Sequence, residues 1–182
     1  MNDPQPPQLT IRAERPQDNR AIASLVREAF NEEMPVRLVE AIRRGSGYVP
    51  ELALVAQVKG RVVGHVMVST ALLRDGDQER AVATLSPLAV LSEFQKQGIG
   101  AALVREVTQL ANRRGEPVVV VAGNPRYYSR FGFEPSAAAG ITIDLPLWAP
   151  PEAAQMLRLQ SYDAALREHL VFPALDAVAE VG

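Results

Sequence analysis

The chain has 182 residues, 47% of them hydrophobic and 22% charged, with a net charge of -2. That is the size and balance of a single soluble globular domain, and the charge excludes the basic excess that a nucleic-acid binder carries. With no cysteine, the chain has no disulfide, no thiolate metal site and no covalent cysteine intermediate. The N-terminus lacks the charged and apolar regions of a signal peptide, and no apolar run approaches 18 residues, so a cytoplasmic location without membrane contact is expected.

In chain order, residues 1–8 hold three prolines and read as a flexible tail. Leu9 to Ala13 alternates apolar and polar, as a strand does. Ile22, Leu25, Val26, Ala29 and Phe30 recur at helical spacing, so a helix is expected over 16–30, and a second over 35–44 ended by Gly45 and Gly47. Residues 52–58 and 61–70 are β-rich runs joined by Lys59-Gly60, a hairpin signal. A turn at Asp75-Gly76-Asp77 leads to a strand over 81–90. Pro87 inside that strand cannot donate to a ladder, which predicts a bulge or missing pairing beside it. Residues 98–114 read as a helix with a basic last turn and Gly115 behind it. PVVVVAG (117–123) is a buried strand, and a short helix follows over 125–130. Ile141 to Asp144 suggests a strand. Residues 152–169 fit either a helix or a strand near 155–160. The order β-α-α-β-β-β-α-β-α is not a regular βαβ winding. It predicts an α/β (α+β) fold with a mixed, mostly antiparallel sheet and helices on both faces.

The informative stretch is EFQKQGIGAALV (93–104), with Gly98 and Gly100 at a strand-to-helix junction. The first amides of a helix lack partners within it and carry partial positive charge, and glycine lets an anion approach the backbone. The residues suit a phosphate cradle. They do not make a P-loop, since no lysine–hydroxyl pair follows, and a dinucleotide fingerprint is poor with Leu103 in its third place. A plain turn is the alternative for the glycines taken alone.

Read in full, Gln95-x-x-Gly98-x-Gly100-Ala101 after the strand LSPLAV (85–90) resembles the Q/R-x-x-G-x-G/A signature of the GCN5-related N-acetyltransferases (GNAT superfamily). NPRYYSRFGF (124–133) places Tyr128 four residues before Gly132, as that family does, and IRAERPQD (11–18) with RVVGHVMVS (61–69) is similar to its first elements. The combination looks most like the YhbS-like branch, over about residues 9–135. The resemblance implies a GNAT fold of six or seven strands, splayed as a V between the central ones. It implies one domain over 9–172, with 135–172 on the acceptor side and 173–182 as a C-terminal tail. It implies an acyltransferase that moves the acetyl group of acetyl-CoA, a co-substrate, directly to a primary amine. No metal is expected, since His65 and His169 lie far apart in sequence and no HExxH or paired-carboxylate motif appears.

By the same resemblance, Leu88, Ala89 and Val90 hold the pantetheine arm, with an amide near Ala89 or Val90 for the carbonyl oxygen. Gln95, Lys96, Gln97, Gly98, Ile99, Gly100 and Ala101 hold the pyrophosphate, and Asn124 touches the cofactor. Tyr128 is the general-acid candidate, with Tyr127 as its alternate, and Arg126 and Arg130 could reach phosphates. For the acceptor, Glu32 and Glu33 could attract or deprotonate a cationic amine, His65 has a suitable intrinsic pKa, and Ser86 could orient a water. Each also has an ordinary structural reading: a packed tyrosine, a solvated acid pair, a core histidine. A small-molecule or peptide amine is the expected acceptor, and the C-terminal segment could also form a homodimer surface. The alternatives are an acyl-CoA-binding sensor of the same fold and a protein-interaction domain.

Overall fold

A computed structural model describes residues 9–145, 147 and 149–179. The expected tail at 1–8 and the last three residues lie outside them.

β1 (Leu9–Ala13) pairs antiparallel with β2 (Ala53–Val58), which pairs with β3 (Arg61–Asp75) across the Lys59-Gly60 turn. Both turn residues have positive φ, the geometry of the tightest hairpins. β3 pairs with β4 (Gln78–Val90), and both strands run longer than the apolar pattern suggested, out to the turn at Gly76. Their register shifts where Val66 faces Leu88 and Val68 faces Leu85, so Ser86-Pro87 is the site of the expected irregularity.

Between β1 and β2 lie α1 (Asn19–Phe30) and α2 (Met34–Arg44). α3 (Ile99–Arg114) follows β4 and leads to β5 (Val118–Ala122). Helices cover both faces of the sheet. A Cβ on Gly64 would meet Leu103 and Ile99 of α3 at 3.0 and 3.1 Å, so glycine lets α3 pack closely on the sheet here. The next residue, His65, points the other way, to Glu14, which also holds Arg43 of α2.

β5 is parallel to β4, but the two pair only at Ala83–Val119 and Thr84–Val120. Beyond Thr84 the strands diverge, the V that the family resemblance implied. α4 (Pro125–Tyr128) follows, then β6 (Glu134–Pro135), β7 (Ile141–Ile143), β8 (Ala154–Arg158), β9 (Glu168–Val171) and α5 (Pro173–Ala179). Among the described residues nine strands form the sheet, in the order β1-β2-β3-β4-β5-β8-β6, with β9 on the free edge of β3 and β7 parallel to β9.

Two points in the C-terminal part are decided by the structure. Of the two readings of residues 152–169, the strand near 155–160 is present as β8, and the segment forms strands and turns rather than an α-helix. β5 needs a partner on its far edge, β8 supplies it over Val118–Ala122, and Met156 is fully buried as a result. Residues 173–179, read as tail, are α5, which packs against α2 and buries Val178. A second apolar cluster containing Leu73, Val82, Val120, Ile141, Met156 and Leu170 ties this segment to the sheet.

Candidate active site

The divergence of β4 and β5 leaves a strand edge without a partner. Leu91 N–H donates to Val63 O at 3.0 Å, so in strict alternation Ala89 also faces β3, while the amides and carbonyls of Leu88 and Val90 face the gap. Leu88 and Val90 are therefore the groups offered to an extended ligand, and Ala89 is a buried ladder residue. The gap-side carbonyl of Val90 accepts a hydrogen bond from Gln95 Nε2 at 3.1 Å, which ties the loop to the strand edge.

At the start of α3, Lys96 and Gly98 both have positive φ, with Gly98 at 84°. This bend turns successive amides toward one side. The first intrahelical bond is Ala102 N–H to Gly98 O, so the amides of Ile99, Gly100 and Ala101 have no partner within the helix. A Cβ on Gly100 would lie 2.6 Å from Tyr127 Oη, so the second glycine serves close approach rather than backbone bending.

These groups line one cavity of about 680 Å³, formed by Leu88, Val90, Phe94, Gln95, Lys96, Gly98, Gly100, Ala101, Tyr127 and Arg130. Lys96, Arg130 and the helix start make it electropositive, and its glycine-rich, amide-lined end suits a pyrophosphate. Of the expected loop residues, Gln97 turns its side chain to Glu93 O at 2.9 Å and Ile99 buries its side chain in the core. Only their backbones belong to the loop.

The two tyrosines divide. Tyr127 lines the cavity with its hydroxyl near Gly100, and the Arg130 guanidinium stacks 4.5 Å over its ring. Tyr128 is buried against Gly123 at the end of β5 and makes an edge contact with Phe133. Burial, with a smaller contribution from Tyr127, raises the Tyr128 pKa above the usual 10, so the phenol stays protonated near neutral pH. Asn124 caps α4, its Oδ1 accepting from Arg126 N–H at 3.0 Å. Its amide nitrogen is what it can offer a ligand. Arg126 does not line the cavity.

A second cavity, of about 290 Å³, lies at the crotch of the V. Thr84, Leu85 and Ser86 line it from β4 and Ala122 from β5, with Asp144, His169, Leu170, Phe172, Leu38 and Leu175 among the remaining walls. Along β4 the second cavity ends at Ser86 and the first begins at Leu88, with only Pro87 between them.

Of the acceptor candidates, only Ser86 lies in this space. His65 is fully buried, and its Nε2 lies 2.9 Å from Glu14 Oε2 in a cluster with Arg43 and Tyr48. Burial lowers its pKa, and neutral His65 donates to the Glu14 carboxylate. Glu33 forms an exposed pair with Arg27, and Glu32 is exposed at the turn between α1 and α2; neither lines a cavity described above. Phe94, Asp144 and His169 were not singled out as site residues. Phe94 adjoins the glycine motif. Asp144 and His169 gave no local signal, because only the pairing of β7 with β9 brings them together. Among the described residues no cluster could hold a metal ion, and no helix is long and apolar enough to cross a membrane.

Comparison with known proteins agrees with this geometry. The family model "Acetyltransferase (GNAT) domain" matches residues 10–136. The chain is 33% identical over 129 residues to the uncharacterized N-acetyltransferase YhbS of Escherichia coli, covering 71% of this chain and 75% of that one. It is 32% identical over 123 residues to the uncharacterized N-acetyltransferase YjhQ of Escherichia coli, covering 65% and 68%. The crystal structure of Escherichia coli YhbS in complex with CoA superposes with a TM-score of 0.84 at 29% identity, covering 97% of this chain and 96% of that one. A GNAT family acetyltransferase from Brucella melitensis in complex with acetyl-CoA gives 0.75 at 27% identity, covering 93% and 98%. An unpaired strand edge, a glycine-bent helix start and these relatives lead to one statement: the chain belongs to the GNAT family of acetyltransferases.

Proposed function

We propose that this protein transfers the acetyl group of acetyl-CoA directly to a primary amine. The observation that supports this most is the continuity of the free Leu88–Val90 edge with the amide-lined loop at Gly98, in one cavity whose inner end abuts a second. The strand edge suits the amide-containing pantetheine arm in β-fashion, and the amides of residues 99–101 with Lys96 and Arg130 suit the phosphates. The second cavity, open at the crotch of the V, favours an enzyme over a sensor that only binds acyl-CoA.

The chemistry supplied with acetyl-CoA is thioester aminolysis: the acceptor nitrogen bonds to the carbonyl carbon as the carbon–sulfur bond breaks, with the electron pair leaving on sulfur. The gap-facing amide of Leu88 or Val90 meets the negative charge on the carbonyl oxygen. Tyr128, kept protonated by burial, gives a proton to the departing sulfur. Ser86 orients the water that takes the proton lost by the amine. Tyr127 belongs to the phosphate end.

Titration calorimetry with acetyl-CoA tests the reading on wild type and Gly98→Glu. A Cβ at Gly98 meets nothing within 4 Å, so the variant folds with a backbone strain of about 1–2 kcal/mol, while its carboxylate repels the phosphates. Saturable binding to wild type that is lost in the folded variant is expected. Equal affinity in both would overturn the site.

A further inference from the structure

We propose that the second cavity selects an alkylamine or arylalkylamine, a primary amine on an apolar body without a carboxylate; this rests on the acetyltransferase reading above. Four elements contribute apolar side chains to the walls, Leu38 of α2, Leu85 of β4, Leu170 of β9 and Leu175 of α5, with Phe172 at the β9–α5 junction, beside the polar Thr84, Ser86, Asp144 and His169. The apolar side chains favour a hydrocarbon body and disfavour any charge buried against them.

The ionisable side chains at the rim are Asp144 and His169. Asp144 Oδ2 lies 3.2 Å from His169 Nε2, and His169 Nδ1 lies 3.1 Å from Thr142 Oγ1. No arginine or lysine is among the described lining residues. Arg74, opposite His169 on β3, is held by Glu79 at 2.7 Å. A substrate carboxylate would therefore meet the Asp144 carboxylate and no arginine or lysine, whereas an ammonium is drawn toward Asp144 on its way in.

Position and size agree. Ser86 and Ala122 form the end of the cavity beside the cofactor cavity, so an amine there lies two residues, roughly 7 Å, along β4 from Leu88. A volume of about 290 Å³ is near the lower edge of small-ligand pockets, suited to a compact amine rather than a folded protein segment.

The experiment compares 2-phenylethylamine with phenylalanine, which adds only a carboxylate, and with spermidine. Saturation-transfer NMR reads amine binding to the protein alone, and CoA thiol release reads acetylation with acetyl-CoA present. We expect 2-phenylethylamine to bind and to be acetylated with kcat/KM at least about 10-fold above either competitor. Leu175→Arg, a half-exposed position on α5, puts a cation at the wall and is expected to narrow the preference over phenylalanine. Preference for phenylalanine or spermidine overturns the inference, as does an unchanged ratio in Leu175→Arg. Acetyl-CoA binding without binding or acetylation of the apolar amine also overturns it, and leaves the acetyltransferase reading intact. Amine binding without any acetyl-CoA binding overturns the acetyltransferase reading and, with it, the acceptor role of this cavity. Binding of neither overturns both.

Discussion

Tyr127 and Tyr128 are neighbours in sequence with different surroundings, and helical geometry is the reason: adjacent residues on a helix point about 100° apart. Tyr127 turns toward the helix start at Gly100, while Tyr128 turns toward β5 and Phe133. Their variants should separate accordingly. Tyr128→Phe removes the proton for the departing sulfur, so turnover should fall about 100-fold with acetyl-CoA affinity near wild type. Tyr127→Phe should weaken acetyl-CoA binding more than it slows turnover. Steady-state kinetics beside calorimetry checks both, and a wild-type rate for Tyr128→Phe would remove it as the acid. Among the sequence-derived site residues, those that follow from backbone chemistry, Gly98 and Gly100, were legible, because positive φ and close approach both demand glycine. His65 was not legible. Its isolated intrinsic pKa suited a base, but its partner Glu14 is 51 residues away in sequence.

The junction of β5 and α4 is an element-scale device. Gly123 N–H donates to Ala153 O at 2.9 Å, and Gly123 O accepts from Gln155 Nε2 at 3.1 Å, so the backbone here is pinned on both sides. A Cβ at Gly123 would lie 2.5 Å from Tyr128 Cε2, so in Gly123→Ala the tyrosine must move rather than the strand. The variant should lose about 1–3 kcal/mol of stability and most of its turnover, with acetyl-CoA affinity little changed. Denaturant unfolding, kinetics and calorimetry together read this, and retained turnover would show that Tyr128 need not be held here. Gly64 does the same for a helix on a sheet, since it admits Ile99 and Leu103 of α3. Elements up to β5 were legible because each carries its own periodicity or turn. β8 was legible only as one of two readings, because its residues fit a helix or a strand in isolation and completing the edge of β5 selects the strand.

On the scale of the whole molecule, Glu14 joins β1, α2 and β3. Its carboxylate accepts from Arg43 at 2.8 Å, from Tyr48 at 2.9 Å and from His65. Burial alone would raise its pKa, but hydrogen bonds from Arg43 and His65 outweigh that and lower it to about 2 from the ordinary 4.5. The unfolded chain thus takes up this proton near pH 4.5 and the folded protein only near pH 2, so folding gains stability above pH 4.5 that is lost as pH falls toward 2. Buried neutral His65 adds a loss of the same sign, beginning as pH falls below its ordinary 6.5. Urea unfolding should show wild-type stability falling as pH drops below 6.5 and falling further below 4.5, and Glu14→Gln should be less stable at pH 7 by about 3 kcal/mol with a flatter profile below pH 4.5. An unchanged profile in the variant would remove Glu14 as the linking group.

Local sequence by itself determined the strands and helices up to β5, the bulge at Pro87 and the positive-φ turn at Gly98 that opens α3. Each depends on φ, on a missing N–H or on side-chain period, which are properties of a few adjacent residues. Tertiary structure alone decided which of those features meet. The parting of β4 from β5, the division of Tyr127 from Tyr128, the removal of His65 into the core and the second cavity all depend on contacts between distant segments. Those contacts are selected by burial of apolar area and by satisfaction of strand edges across the whole chain, and no short stretch encodes them.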